Sequence, residues 1–103
     1  MCRPLTSARY RDRSQNARLA EAQYQLGLVL DAMGDNAGAA EAFSKAADNN
    51  PQMAYAHYYA GMNFYEAKRV DRMAVYFENF LKLAPNAPER SAVESIMRTV
   101  RGK

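Results

Sequence analysis

His57 and Cys2 are the only histidine and the only cysteine in a chain of 103 residues, and they bound the chemistry on offer. A lone imidazole works as a base or metal ligand beside a Ser, Cys or carboxylate at suitable spacing, and none stands in such a pattern around His57. A lone thiol forms neither an internal disulfide nor a paired-cysteine metal site. The chain also has no Gly-rich phosphate loop and no His-x3-His pattern. His57 therefore reads as a packing histidine, and the expectation is no enzyme, no metal and no cofactor. Recognition chemistry is better represented. Tyr55, Tyr58, Tyr59, Met62 and Tyr65 crowd one short segment. Tyr supplies large, stiff contact area with a polar tip and Met adapts its shape, a composition that recognition surfaces use.

The elements that position these residues follow from periodicity and punctuation. Leu26, Val29, Leu30 and Met33 recur at i, i+3, i+4 and i+7, an amphipathic helical pattern. Gly27 interrupts it at a cost of about 1 kcal/mol relative to Ala, and an internal repeat explains what offsets that cost. Ala20, Tyr24, Gly27, Phe43 and Pro51 recur 34 residues on as Ala54, Tyr58, Gly61, Phe77 and Pro85. Each unit reads as two helices. In the first they are predicted over 20–33 and 36–48, with Gly34 as the C′ glycine, Asp35 as N-cap, and Asn-Asn-Pro at 49–51 as the stop. In the second they are predicted over 53–67 and 70–83, ended by the two prolines of 84–88. Turns this short make each pair antiparallel. A last helix opens with Asn86, Pro88 and Glu89 as start signals, and Val93, Ile96, Met97 and Val100 form its single apolar stripe. Glu89, Arg90, Glu94, Arg98 and Arg101 cover its other faces, as the end of an array requires.

The length suits one domain with a modest core, and 49% hydrophobic with 24% charged residues is the balance of a soluble globular chain. No run of about 18 apolar residues is present and the N-terminus lacks a secretory apolar segment, so a cytoplasmic location without membrane contact is expected. The net charge of +3 is uneven. Residues 1–19 carry Arg3, Arg9, Arg11, Arg13 and Arg18 against Asp12 alone, which leaves the rest of the chain slightly acidic. This leader reads as a flexible or partly helical lead-in, or as a contact surface for an acidic partner. Nucleic acid is not an expected partner.

The two units resemble tetratricopeptide repeats, whose signature is Trp-x2-Leu-Gly-x2-Tyr, then Ala-x3-Phe, then Ala and Pro. The first reads Gln23-x2-Leu26-Gly27-x2-Leu30, Ala39-x3-Phe43, Ala46 and Pro51. The second reads His57-x2-Ala60-Gly61-x2-Phe64, Met73-x3-Phe77, Phe80 and Pro85. The resemblance implies an all-α fold, a right-handed α-solenoid of antiparallel helix pairs with about five helices. The domain reading is a leader over 1–19 and a repeat domain over 20–103, made of repeat one at 20–53, repeat two at 54–87 and a capping helix at 86–101. It further implies that the small residue of the first helix lies where the second crosses, with Ala39 expected opposite Gly27. Met73 stands where Ala is usual, facing Gly61, and Phe80 where a second Ala is usual. Either Met73 fills the hollow over Gly61, or the second pair is splayed and the capping helix sits farther out.

In the family the first helix of each unit lines a concave face. Carried over position by position, that face comprises Glu21, Tyr24, Gln25, Leu28, Asp31 and Ala32, then Tyr55, Tyr58, Tyr59, Met62, Tyr65 and Glu66. The residues expected to bind a partner are Tyr24, Leu28, Asp31, Tyr55, Tyr58, Tyr59, Met62 and Tyr65, with Tyr59 shared between groove and core. The implied function is a non-catalytic interaction module that takes a partner peptide or helix. Members that grip a C-terminal carboxylate use Lys and Asn where this chain has Tyr24, Leu28 and Tyr59, so an apolar or aromatic ligand fits better. The alternative is an assembly subunit, or a fragment of a longer array, that forms a homo-oligomer through its first helix, whose outer side has no preceding helix to cover it.

Overall fold

The computed structural model describes residues 3–101, with side chains from residue 16 onward; Cys2 and the side chains of Arg3, Arg9, Arg11 and Arg13 lie outside it. Among the described residues there are five helices and no strand: α1 Arg3–Ala32, α2 Asn36–Asn49, α3 Ala54–Glu66, α4 Val70–Leu83 and α5 Arg90–Arg101. Each helix packs on the one before it, in chain order.

The turns inside the two pairs share one shape. Gly34, at φ +87°, closes α1, with its N–H donating to Asp31 O at 3.0 Å and that of Asp35 to Leu30 O at 2.9 Å. Asp35 then caps α2, its Oδ1 accepting from the Gly38 N–H at 3.0 Å. One period on, Lys68 takes the same left-handed turn at φ 64° and the Arg69 N–H donates to Phe64 O at 2.7 Å. A side chain in that conformation costs about 1–2 kcal/mol, so the second turn keeps its shape because the packed helices impose it.

The core is built from small residues and rings. Ala39, Ala40, Ala46 and Ala47 of α2 are buried against α1 and α3, which lets the helices approach closely, and Phe43, Phe77, Phe80, Met73 and Val93 fill the centre. A Cβ on Gly27 would stand 2.8 Å from the Phe43 ring, and one on Gly61 would overlap the Phe77 ring. The residue that needs the glycine is therefore the phenylalanine of each second helix, not the expected Ala39. Met73 is buried, as is Phe80, and α5 has the slightest contact with its predecessor of any helix in the stack, held by Val93 and Met97.

Three expectations are corrected. α1 begins at Arg3 rather than near residue 20, so residues 3–19 continue the helix of the first repeat. α5 begins at Arg90 rather than Asn86. Pro85 and Pro88 disfavour helical backbone at the residues before them, and the chain makes a tighter turn there, with the Arg90 N–H donating to Ala87 O at 3.1 Å. Finally, the stripe that announced the first helix mostly faces outward: Leu26, Val29 and Met33 are 51%, 55% and 73% exposed. The side of α1 that meets the core carries Ala20, Tyr24 and Gly27 instead.

Candidate functional site

Tyr55, Tyr58, Tyr59 and Met62 stand at i, i+3, i+4 and i+7 on α3, so helical geometry alone puts them on one face. The opposite side of α3 carries Ala56, His57, Ala60 and Phe64 into the core. Both sides of the helix are thus apolar, and the tyrosine side is left half-buried.

Tyr59 is the hub of the aromatic cluster. Its ring lies 6.1 Å from Tyr24, 6.4 Å from Tyr55 and 5.1 Å from Tyr58, centroid to centroid, and stacks on Phe43 at 5.2 Å. Phe80 supports the other end, 5.6 Å from Tyr55 and 5.2 Å from Tyr58. Such pairs contribute about 0.5–1.5 kcal/mol each beyond the area they bury, so the half-buried rings hold one another in place. The Tyr55 hydroxyl donates to Glu89 Oε1 at 2.9 Å, tying the cluster to the turn before α5. Burial raises the Tyr24 and Tyr58 phenols above their ordinary value of 10.0, and the bond to Glu89 raises Tyr55. All three are neutral hydrogen-bond donors at physiological pH.

Beside these rings a hollow of about 280 Å³ is lined by Tyr58, Tyr59 and Met62 together with Asp31, Asn36, Asn63 and Glu66. The structure thus brings Asp31, Tyr58, Tyr59 and Met62 together and sets Tyr24 and Tyr55 against the same rings. Leu28 packs against the core outside the hollow. Tyr65 lines a separate depression with Val70 and Val100. Asn36 and Asn63 belong to the lining and were missed from the sequence. Asn63 carried a signal, a polar residue on an otherwise apolar helix; its Nδ2 donates to Tyr59 O at 2.9 Å.

His57 lies on the far side, 5% exposed, with Nε2 3.1 Å from Pro51 O and its ring 5.8 Å from that of Tyr76. A carbonyl only accepts, so Nε2 carries the proton and Nδ1 is left buried without a partner. Burial lowers its pKa below 6.5, against a smaller raising effect of the Pro51 bond and Asp48. The unfolded chain therefore takes up this proton first, and stability is full above the unfolded pKa and falls as pH drops through about 6.5 toward the lower folded value. Thermal melts between neutral and mildly acidic pH should show this decline, flattened in a His57→Gln variant; an equal slope in both would refute the assignment. Among the described residues no three metal-ligating side chains converge.

The family model for the tetratricopeptide repeat matches residues 21–52 and again 55–87. The chain belongs to the tetratricopeptide repeat family. No match to a curated protein accompanies it. The first match takes in the C-terminal part of α1 together with α2, and the second the pair α3–α4. In this tetratricopeptide repeat chain the position usually given to Trp holds Gln23 and His57, and each bonds a residue at or just past the end of α2. Gln23 Oε1 accepts from Asn49 Nδ2 at 2.8 Å, as His57 reaches Pro51. Tetratricopeptide repeats generally mediate protein–protein interactions. No helix among the described residues is long and apolar enough to cross a membrane.

Proposed function

We propose that the chain is a binding module, not an enzyme, and that the tyrosine face of α3, with Tyr24 and Asp31 of α1, receives a partner peptide or helix through an apolar or aromatic side chain. The observation that carries this reading is the run of half-buried rings, Tyr24, Tyr59, Tyr58 and Tyr55, backed by Phe43 and Phe80 and opening beside a hollow of about 280 Å³. Stiff rings lose little freedom on binding, and the flexible Met62 lets the hollow adapt to its occupant. Tyr24, Leu28 and Tyr59 replace the amide and ammonium groups that grip a free carboxylate, so recognition rests on side chains of the ligand. A ligand that fills the hollow keeps Asp31 and Glu66 as a polar rim.

A library of displayed random peptides selected against the protein tests this reading. Selected peptides should share an aromatic or large aliphatic residue, and a Tyr58→Ala, Met62→Ala variant with unchanged circular dichroism should bind them at least about 30-fold more weakly, the loss typical of central interface residues. Equal binding by the variant, or a selection that enriches no peptide, would sink the proposal.

A further inference from the structure

The hollow beside the tyrosines holds more polar chemistry than an apolar side chain uses. Asn63 lines it and is 2% exposed; its Nδ2 donates to Tyr59 O, while its Oδ1 is buried with no hydrogen-bond partner among the described residues. A buried acceptor left in that state costs free energy that a donor entering the hollow returns. Asp31 and Glu66, both exposed, add two carboxylates to the same lining, and neither is in an ion pair among the described residues. The helices gather these acceptors near two C-termini. Tyr59, Met62, Asn63 and Glu66 follow at i, i+3, i+4 and i+7, so this face of α3 turns from aromatic to polar toward its last residue, Glu66, and Asp31 is one residue from the end of α1 at Ala32. Neither helix has a basic residue in its last turn to offset the partial negative charge there. Lys68 lines a separate depression with Tyr65 and Val100, and Arg72 lies over the Phe64 ring. No basic side chain among the described residues lines the hollow, although Lys and Arg outnumber Asp and Glu by 14 to 11 in the chain.

We infer, on the footing of the proposed binding face, that the partner segment carries an arginine beside its apolar anchor and that the guanidinium enters this hollow. A guanidinium meets each feature of the lining at once. Its flat face lies on a tyrosine ring, and its in-plane N–H groups supply Asn63 Oδ1 and the carboxylates of Asp31 and Glu66. An indole brings a single N–H and no charge, and an aliphatic chain brings neither, so either would cover the acceptors without serving them. A lysine ammonium pairs with the carboxylates as a point charge but has no plane to lay on a ring. Glu89, bonded to the Tyr55 hydroxyl, and Glu21, near Tyr24, continue the acidic character along the tyrosine face. A basic segment is therefore also drawn to this face from solution, and an acidic one is repelled.

Peptides selected from the displayed library test the arginine separately from the face. They should carry Arg at a fixed spacing from the apolar or aromatic anchor. In a synthetic copy of a selected peptide, Gln in place of that Arg should weaken binding to the wild-type protein about tenfold or more, and Lys should recover only part of the loss. These comparisons need no protein variant to fold. An Asp31→Asn, Glu66→Gln protein, altered at two exposed positions and with unchanged circular dichroism, should lose as much affinity for the Arg peptide and little for the Gln peptide. Selected peptides that share an anchor but no Arg, an Arg that Gln or Lys replaces without loss, or equal losses for both peptides on neutralising the carboxylates would each overturn the inference and leave the binding face standing. A selection that enriches no peptide, or binding that survives Tyr58→Ala, Met62→Ala, would overturn both.

Discussion

Phe77→Ala is expected to cost about 3–5 kcal/mol, because it empties the centre of the second repeat, where the ring is fully buried. At roughly 4–8 °C per kcal/mol for a domain of this size, the melting temperature should fall by more than about 10 °C. The glycine beneath the ring makes the test specific. Gly61→Ala places a better helix former in mid-helix, worth about 1 kcal/mol by propensity alone, yet its methyl group meets the Phe77 ring. It should therefore destabilise, by about 1–3 kcal/mol. In a Phe77→Leu background the same substitution should lose most of that penalty. Denaturant melts of the four proteins in the cycle give the coupling directly. A Gly61→Ala chain as stable as the wild type would show that the ring does not hold this glycine in place. Gly27 and Phe43 form the same couple in the first repeat.

Phe80→Ala should be nearly as damaging to the fold, and it should also reach the proposed binding face. Phe80 is buried and lies against both Tyr55 and Tyr58. Removing it costs about 3–5 kcal/mol and leaves two groove rings without a floor. At a temperature where the variant is still folded by circular dichroism, its affinity for the selected peptides should drop by at least about tenfold, since rings free to tilt must be ordered again on binding. Phe80→Leu, which keeps most of the volume, should recover stability more fully than affinity. Unchanged affinity in Phe80→Ala would mean that the floor plays no part in recognition, and the proposed site would shrink to Tyr59, Met62 and their neighbours.

Local rules were enough for part of this architecture. The bounds of α4 agree with expectation at both ends, because Val70–Leu83 has a strongly one-sided apolar pattern and a double-proline stop. Gly34 and Asp35 were readable as a C′ glycine and N-cap because each acts through its own backbone or one short hydrogen bond. The spacing of Tyr55, Tyr58, Tyr59 and Met62 placed them on one helical face without reference to any neighbour. The start of α5 differs from expectation because Pro88, a start signal in the first turn of a helix, also disfavours helical backbone at the residue before it, and the turn geometry decided between the two.

The sequence by itself determined the repeat, the paired helices and the family, because a 34-residue period and its glycine and proline punctuation are local and additive. Tertiary structure alone decided which ring crosses each glycine, that Leu26, Val29 and Met33 look outward, and that Tyr58, Tyr59, Met62 and Asp31 meet at one hollow while Leu28 and Tyr65 do not. The physical reason is common to all three. A helix with apolar residues on more than one side, such as α1 or α3, does not say which side finds a neighbour; that depends on where the next helix lies, and the next helix is set by the packing of the whole stack.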